Sequence, residues 1–373
     1  MISNFDIAGF RLFKKLKIEN LGRLNLIVGK NNSGKSALLE ALGLHLSNFS
    51  HDLISDILAI RQEDWALSTT DGAGLNSPLR HLFNSHSLPE LNQDGITFCS
   101  DQFGESKLML CAFAIERDAD SMTMRRRLLK AEELELIDNS DDITFGLMVN
   151  RGEDYTILTT VEENSKGLAA TLARRRFTEQ KLLMPYQFLP TKGLSSVRVA
   201  KLWDSIVLSE LEQDVLVGLQ LIEPRVTDLT FIGDNNGRYE NQGRIPLVKI
   251  NGEPEPISLK SLGDGMTRIF HLILTLVCAK NGVLLVDEVE NGLHWSVQPR
   301  LWQILFELAQ RLNVQVFATT HSRDSISAFQ QTWANSEQQA ALIRIVNKNG
   351  EIQAQTYSLE LLADSLNTDV EVR

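Results

Sequence analysis

Eight consecutive residues, Gly29 to Ser36, fit the phosphate-binding pattern G-x-x-x-x-G-K-[ST]. Glycines let such a loop curl until several backbone N–H groups point at one anion, and the N-terminus of a following helix adds partial positive charge. In this pattern Lys35 reaches the β- and γ-phosphates, and the hydroxyl of Ser36 binds Mg²⁺. The sequence therefore predicts a nucleoside triphosphate site. Its predicted nucleotide contacts are Gly29, Asn31, Asn32, Ser33, Gly34, Lys35, Ser36 and Ala37.

Two adjacent carboxylates, Asp287 and Glu288, follow the apolar run 283–286. At the end of a buried strand, Asp287 can hold Mg²⁺ through water alongside Ser36, and Glu288 can polarise the water that attacks the γ-phosphate. A buried strand that simply leaves the core through acidic residues has the same appearance. The phosphate loop favours the catalytic interpretation.

Two further segments can meet this site. His321 follows the next predicted strand, one crossover beyond Glu288, so parallel pairing places it at the same sheet edge, within reach of the γ-phosphate. A histidine after a strand is more often structural, but its register with Glu288 favours the catalytic interpretation. The segment 261–265 is a glycine-bearing turn that opens a helix and can aim N–H groups at an anion. Taken alone, that segment is more often a plain turn and helix cap, but the order of the four motifs favours the anion-binding interpretation.

Alternating strands and helices must position these groups. The pattern predicts an α/β fold, in which a core of residues 1–47 and 225–373 is interrupted by an inserted α+β region, 48–224. In that region we expect one amphipathic helix over 199–222, followed by a hairpin that pairs 227–232 with 245–250. The predicted core elements are strands at 24–28, 283–286 and 314–318, a helix after the phosphate loop, and helices at 266–279 and 296–312.

Composition narrows the class of protein. The chain has 373 residues and a net charge of −11, which argues against unaided coating of nucleic acid. Its three cysteines are widely spaced, and neither a signal pattern nor an apolar run long enough for a bilayer occurs, so we expect a cytoplasmic protein that spans no membrane. The arginine runs 125–127 and 174–176 could contact nucleic acid, although solvated helix faces are the commoner explanation.

Taken together, the motifs resemble the series found in ABC-type ATPases. The sequences of 263–266 and 287–294 are similar to those of a narrower group, the stand-alone AAA-family ATP-binding proteins of the OLD, RecF and SMC-like group. These proteins are found in bacterial anti-phage operons beside an RloB-type or TOPRIM partner. The segments that carry the resemblance are the phosphate loop, 261–265, 287–288 and 320–322.

The resemblance implies a P-loop NTPase with an ABC-type ATPase head: a mixed, mainly parallel sheet flanked by helices, which hydrolyses ATP with Mg²⁺. It further implies a homodimer, or a higher even-numbered homo-oligomer, in which Ser261 and Gly263 of one head complete the nucleotide site of the other. Residues 291–294 would lie across that interface. Arg11 occupies a position where such heads place a basic residue near the nucleotide, with a solvated arginine as the alternative.

The chain departs from transporter heads at Lys260 and Leu262, so we do not expect a transporter subunit. Too few residues follow His321 for a TOPRIM nuclease, so we expect a separately encoded effector. The leading hypothesis is an ATP-driven switch that dimerises around ATP and controls that effector, or a nucleic acid, in anti-phage defence. The alternatives are a RecF- or SMC-like DNA clamp and a nucleotide-gated scaffold with little hydrolysis.

Overall fold

The computed structural model describes residues 1–64, 78–117, 124–134, 143–160, 182–233 and 244–367. Within these ranges the strands are β1 (Phe5–Phe10), β2 (Phe13–Ile18), β3 (Leu24–Val28), β4 (Asp94–Ser100), β5 (Gly104–Arg117), β6 (Met124–Leu128), β7 (Ile143–Arg151), β8 (Asp154–Thr160), β9 (Tyr186–Leu189), β10 (Val226–Gly233), β11 (Arg244–Ile250), β12 (Ile257–Ser258), β13 (Val283–Val286), β14 (Gln315–Thr319), β15 (Ala340–Lys348) and β16 (Glu351–Tyr357). The helices are α1 (Lys35–Leu46), α2 (His51–Ile60), α3 (Ala131–Leu134), α4 (Ser196–Asp204), α5 (Glu210–Gln220), α6 (Asp264–Cys278), α7 (Gln298–Arg311), α8 (Arg323–Ala334) and α9 (Leu359–Asn367).

A six-stranded sheet in the order β16-β15-β3-β14-β13-β9 carries the predicted motifs. Five of its strands are parallel, and β16 pairs antiparallel with β15 at one edge. Every residue of β3, β13 and β14 is buried, which explains their nearly continuous apolar runs, since helices cover both faces of such a sheet. The predicted mixed, mainly parallel sheet flanked by helices is confirmed.

A second, antiparallel sheet lies beside the first. Its order is β2-β1-β4-β5-β7-β8, with β6 paired to β5. Helix α1 is shared by both sheets, because one buried cluster contains Leu38 of α1, Phe98 of β4 and Phe317 of β14. The helix that follows the phosphate loop is therefore packed on two sides.

The remaining small sheet, β10-β11-β12, packs with α4 and α5, and Phe231 of β10 lies against Phe270 of α6. Its β10–β11 pairing confirms the predicted hairpin, with Phe231 opposite Pro246. The prediction of one helix over 199–222 is wrong: α4 ends at Asp204, and α5 begins at Glu210. Between them Leu208 has a φ of 63°, and the Ser209 hydroxyl accepts a hydrogen bond from the Leu211 amide to cap α5. The apolar spacing continues across this break, so the pattern did not show it.

Strand pairing crosses the boundaries of the predicted inserted region, 48–224. Strand β4 pairs antiparallel with β1, and β9 pairs in parallel with β13. Both ends of that region thus contribute strands to sheets that begin outside it. The division into a core and an insert stays a prediction. Within the described ranges, none of the helices is long and apolar enough to cross a membrane.

One buried and one half-buried histidine, His45 and His271, predict how stability changes with pH. Burial lowers the pKa of His45 from its usual 6.5 to about 3, and burial together with the nearby Arg268 lowers that of His271 to about 4. The His45 ring is hydrogen-bonded inside the fold, because its two nitrogens lie 2.9 and 3.0 Å from the hydroxyls of Ser100 and Ser106, respectively. Below about pH 6.5 these two histidines therefore bind protons in the unfolded chain but not in the folded one. The free energy of unfolding consequently decreases as pH falls from 6.5 towards 4.

We expect the free energy of unfolding to fall by a few kcal/mol over that window, since one pKa unit corresponds to about 1.4 kcal/mol. Urea unfolding followed by circular dichroism at several pH values measures it. His45→Gln should make the dependence shallower, whereas His86→Gln, at an exposed histidine, should leave it unchanged. Equal slopes in His45→Gln and the unsubstituted protein would contradict the assignment.

Candidate functional site

The phosphate loop lies between β3 and α1, as predicted. Three of its residues have positive φ: Gly29 at 154°, Asn32 at 65° and Gly34 at 105°. A Cβ atom at Gly29 would lie 2.6 Å from the carbonyl oxygen of Ile345, so the close approach of the loop to β15 requires glycine there. Gly34 is the N-cap of α1 and no side chain caps that end, which leaves the first N–H groups of the helix available to an anion.

Lys35 is folded back over this loop. Its Nζ donates to the carbonyl oxygens of Gly29, at 2.8 Å, and Lys30, at 3.1 Å. Burial lowers the pKa of Lys35, and the charges of Asp287, Glu288 and Glu290 oppose that shift. The ammonium group therefore lies close to three carboxylates, at the point where the loop would receive the phosphates.

Asp287 joins three parts of the sheet edge. Its carboxylate accepts hydrogen bonds from the hydroxyls of Ser36, at 3.0 and 3.1 Å, of Thr319, at 2.7 Å, and of Thr191, at 2.9 Å. These hydroxyls come from the start of α1 and from residues at the ends of β14 and β9. A carboxylate next to a serine hydroxyl is the kind of oxygen donor set that Mg²⁺ takes beside a bound phosphate. The residues present thus fit the predicted metal site of Ser36 and Asp287.

Glu288 has a left-handed backbone, with a φ of 48°. For a residue other than glycine this conformation costs about 1–3 kcal/mol and persists only where the surroundings hold it. Its amide donates to the Thr319 hydroxyl at 2.8 Å, and the buried guanidinium of Arg268 donates to the carbonyl oxygens of Asp287, at 2.7 Å, and Glu288, at 3.0 Å. The turn after β13 is therefore fixed by side chains from β14 and α6.

His321 lies beside these carboxylates. Its Nδ1 is 3.7 Å from Oε1 of Glu288 and 3.2 Å from Oε1 of Glu290. The expected position at the sheet edge of Glu288 agrees with the parallel pairing of β13 and β14. Contact of His321 with a γ-phosphate stays a prediction.

Ser261 and Gly263 lie on an exposed part of the surface. They form the turn before α6, and Gly263 has a φ of 99°. A Cβ atom at Gly263 would meet no other atom within 4 Å, and no side chain caps the N-terminus of α6. Within the described ranges, no hydrogen bond links either residue to the phosphate loop of the same chain. The predicted trans contacts are therefore open to another molecule.

Arg11 differs from one of the two interpretations of it. Its side chain is buried, and its ion-pair partners are Glu40, at 2.7 Å, and Glu63, at 2.9 Å, both outside the phosphate loop. The alternative of a solvated arginine is wrong, because only 5% of the side chain is exposed. Contact of Arg11 with nucleotide stays a prediction, and in this structure the guanidinium ties the β1–β2 turn to α1 and the segment after α2.

The structure describes one of the two arginine runs but not the other. Residues 125–127 lie in strand β6, not on a helix, and Arg127 pairs with Glu133 at 2.7 Å. The run 174–176 lies outside the described residues. Nucleic-acid binding by either run stays a prediction.

Three site residues were not found from the sequence: Thr191, Arg268 and Glu290. Thr191 follows β9, a short strand in the region assigned to the insert, and its backbone oxygen also accepts a hydrogen bond from Asn291 at 2.9 Å. Arg268 lies inside α6, where only its buried contacts reveal its role. Glu290 did stand in the motif 287–294, and its spacing from Glu288 was the available signal.

Comparison with known proteins supports the same chemistry. Residues 1–168 match the model of the AAA ATPase domain, and residues 227–327 match a model described as "AAA domain, putative AbiEii toxin, Type IV TA system". The first contains the phosphate loop, and the second contains Ser261, Glu288 and His321. An ATP/GTP phosphatase of Helicobacter pylori is 23% identical over 353 residues, which cover 89% of this chain and 88% of that protein.

Two other proteins are similar to very different shares of this chain. An uncharacterized protein of Methanocaldococcus jannaschii, MJECL10, is 55% identical over 47 residues, which are 13% of this chain and 22% of that protein. The solved structure of an SMC head bound to the C-winged helix domain of ScpA has a TM-score of 0.50 and 14% identity, and the match covers 96% of this chain and 99% of that one. The fold is that of an SMC or ABC-type ATPase head, and the ATPase-domain matches with the phosphate loop make this chain an ATPase.

Proposed function

We propose that this ATPase is a cytoplasmic molecular switch. Two copies close head to head around ATP and Mg²⁺, and the closed dimer controls a separately encoded effector or a nucleic acid in bacterial anti-phage defence. Lys35 and the loop amides bind the phosphates, Ser36 and Asp287 hold the metal ion, Glu288 polarises the attacking water, and His321 contacts the γ-phosphate.

One observation carries the dimer. Ser261, Gly263 and the uncapped start of α6 present hydroxyl and N–H donors on an exposed turn. Such donors suit a phosphate, and the Asp264 carboxylate stands in the first turn of the same helix. A second copy, with ATP bound in its own phosphate loop, supplies that phosphate. The related SMC head, which is bound to a domain of ScpA, supports control of a separate protein.

The anti-phage setting is supported by the resemblance of 263–266 and 287–294 to ATPases of such operons. The description of the family model over 227–327 as a toxin of a type IV TA system agrees with a role beside a second, separately encoded protein. Neither support depends on the geometry of the ATP site, so the biological setting and the dimer can be tested separately.

Mixing two inactive variants tests the shared site. Lys35→Ala removes the phosphate-binding ammonium, and Ser261→Arg blocks the trans surface, so we expect each variant alone to lose ATP turnover. In an equimolar mixture, half of the dimers pair one of each, and one of their two sites is intact. Turnover should therefore recover to about a quarter of the unsubstituted value, as random pairing of a two-fold dimer requires.

Phosphate release measures this recovery, and Ser87→Arg, at another exposed serine, is the matched control that should keep full turnover. No recovery at any mixing ratio would mean that each site is complete within one chain, and the dimer proposal would be wrong. The same assay with and without duplex DNA, at low salt, shows whether nucleic acid is the controlled partner. ATP-dependent dimers without phosphate release would indicate a scaffold instead.

A further inference from the structure

Arg268 is a buried arginine of α6, the helix that follows the exposed turn of Ser261 and Gly263. Only 6% of the residue is exposed, and the next two residues of the helix, Ile269 and Phe270, belong to the main hydrophobic core. Burying a guanidinium group costs free energy unless its donors are satisfied. The position of Arg268 is therefore explained by what those donors contact.

Three backbone carbonyl oxygens accept hydrogen bonds from this side chain. Nη1 donates to Pro190 at 2.7 Å, and Nη2 donates to Asp287 at 2.7 Å and to Glu288 at 3.0 Å. Pro190 directly follows β9, and Asp287 directly follows β13, the parallel neighbour of β9. Arg268 thus joins the ends of two adjacent strands at the sheet edge where the candidate site lies.

The shape of the guanidinium group matters here as well as its charge. Burial lowers the pKa of Arg268, and the charges of three carboxylates oppose that shift: Asp287, Glu290 and Glu288. Within the described ranges, however, Arg268 forms no ion pair with any of them, and its terminal nitrogens donate to neutral oxygens. A planar fork can serve several fixed acceptors at once, which a lysine ammonium of the same charge does less well. The contacts therefore favour a role that depends on the fork.

The carboxylate of Glu288 depends on its own backbone for its position. In the part of the chain that the structure describes, no hydrogen bond reaches this carboxylate, and 36% of the side chain is exposed. The backbone, by contrast, is left-handed with a φ of 48°, and both its N–H and its carbonyl oxygen are bonded, to Thr319 and to Arg268. A residue other than glycine keeps this conformation only where its surroundings hold it. The direction of the carboxylate is therefore set by these main-chain contacts.

We propose that Arg268 is a positioning residue for ATP hydrolysis: its guanidinium fork holds the ends of β9 and β13 together and keeps the Glu288 backbone left-handed, so that the Glu288 carboxylate faces the attacking water. This inference rests on the proposed role of Glu288. It assigns to Arg268 an effect on the reaction that passes through Glu288.

Kinetics of Arg268→Lys test this role. The substitution keeps the positive charge but removes the fork that holds three carbonyl oxygens. We expect kcat for ATP to fall about 10- to 100-fold, because a displacement of about 1 Å at a reacting group can cost that much. The dissociation constant for a fluorescent ATP analogue should change less than about twofold, since the three contacts of Arg268 lie outside the phosphate loop.

Arg300→Lys is the matched control. Arg300 is an exposed arginine of α7 whose Nε donates to the backbone oxygen of Leu221 at 3.1 Å, so its substitution also removes a guanidinium contact with a carbonyl oxygen. It should leave kcat and ATP affinity unchanged. Full kcat in Arg268→Lys would overturn the proposal, since charge alone would then be enough. Equal losses of kcat and ATP affinity, or loss of the folded state by circular dichroism, would also overturn it, because Arg268 would then serve the fold as a whole.

A double-mutant cycle shows whether the effect passes through Glu288. In a Glu288→Gln background, Arg268→Lys should change the residual hydrolysis rate less than about twofold, because the effects of residues that act as one unit are not additive. Single-turnover measurements with radiolabelled ATP resolve such slow rates. Additive effects would mean that Arg268 acts on another part of the site, and the proposal would be wrong.

Hydrogen exchange tests the contact without ATP turnover. The N–H of Glu288 donates to the Thr319 hydroxyl at 2.8 Å, and the N–H of Val289 donates to the Thr319 carbonyl oxygen at 3.0 Å. If Arg268 holds this turn, Arg268→Lys should speed the exchange of both amides about tenfold, whereas the amides of α1 should keep their rates. Mass spectrometry of the full chain after pepsin digestion measures both segments.

The two measurements separate this inference from the proposed function. Unchanged exchange at residues 288 and 289 would overturn the proposal, even in a protein that hydrolysed ATP through Glu288. Faster exchange in a protein without turnover would instead contradict the proposed function and leave the Arg268 contact supported.

Discussion

Glu288→Gln should lower ATP turnover by about 100- to 1,000-fold, the usual size of a lost general base, while ATP binding stays intact. The amide has the shape of the carboxylate but cannot take a proton from the attacking water. The backbone of Glu288 is fixed by Thr319 and Arg268 through main-chain atoms, which the substitution does not remove. Phosphate release measures turnover, and a fluorescent ATP analogue measures binding.

The same variant should accumulate as a dimer when ATP is added, because closure no longer ends in hydrolysis. Light scattering after size-exclusion chromatography detects the change in mass. Glu337→Gln, at an exposed carboxylate after α8, is the matched control and should behave as the unsubstituted protein. If Glu288→Gln retained full turnover, another group would have to activate the water and the catalytic assignment would be wrong.

Lys35→Ala should weaken ATP binding by about 100-fold and abolish turnover, since in the proposed site the ammonium group makes charge-assisted contacts to two phosphates. In the structure, Lys35 donates to two carbonyl oxygens of its own loop. The phosphates can replace those neutral acceptors with charged ones, so binding gains from the exchange.

Lys30 offers a matched control in the same loop. It has the same charge, but its side chain is exposed and five positions earlier. Lys30→Ala should change ATP affinity less than about twofold, as titration with a fluorescent analogue would show. Comparable losses in Lys30→Ala and Lys35→Ala would mean that the loop attracts ATP by net charge alone, which would contradict a specific contact at Lys35.

The strands of the site could be predicted because their surroundings are simple. Strands β3 and β13 are buried on both faces, so nearly every residue is apolar, and their ends are marked by the glycine loop and by two carboxylates. The groups that follow such strands share one edge by the geometry of parallel pairing. This is why Asp287 and Ser36, 251 residues apart, could be brought together before any coordinates were known.

The features that were missed depend on contacts between distant parts of the chain. Strand β9 has only four residues, and it is a strand because β13 pairs with it. Arg11 is buried because carboxylates from α1 and from the segment after α2 reach it. The break between α4 and α5 left the apolar spacing unchanged. In each case the local pattern was compatible with more than one structure, and tertiary contacts selected among them.

The position of β14 has a consequence for the synthesis of the protein. This strand, Gln315–Thr319, lies between β3 and β13, so the early and middle parts of the chain have no direct pairing across the sheet. A nascent chain that has not yet emerged through residue 319 contains the whole phosphate loop but lacks the strand that lies between β3 and β13 in the sheet. Contacts between segments so far apart in sequence form late. We therefore expect the ATP site to be complete only after residue 319 has left the ribosome.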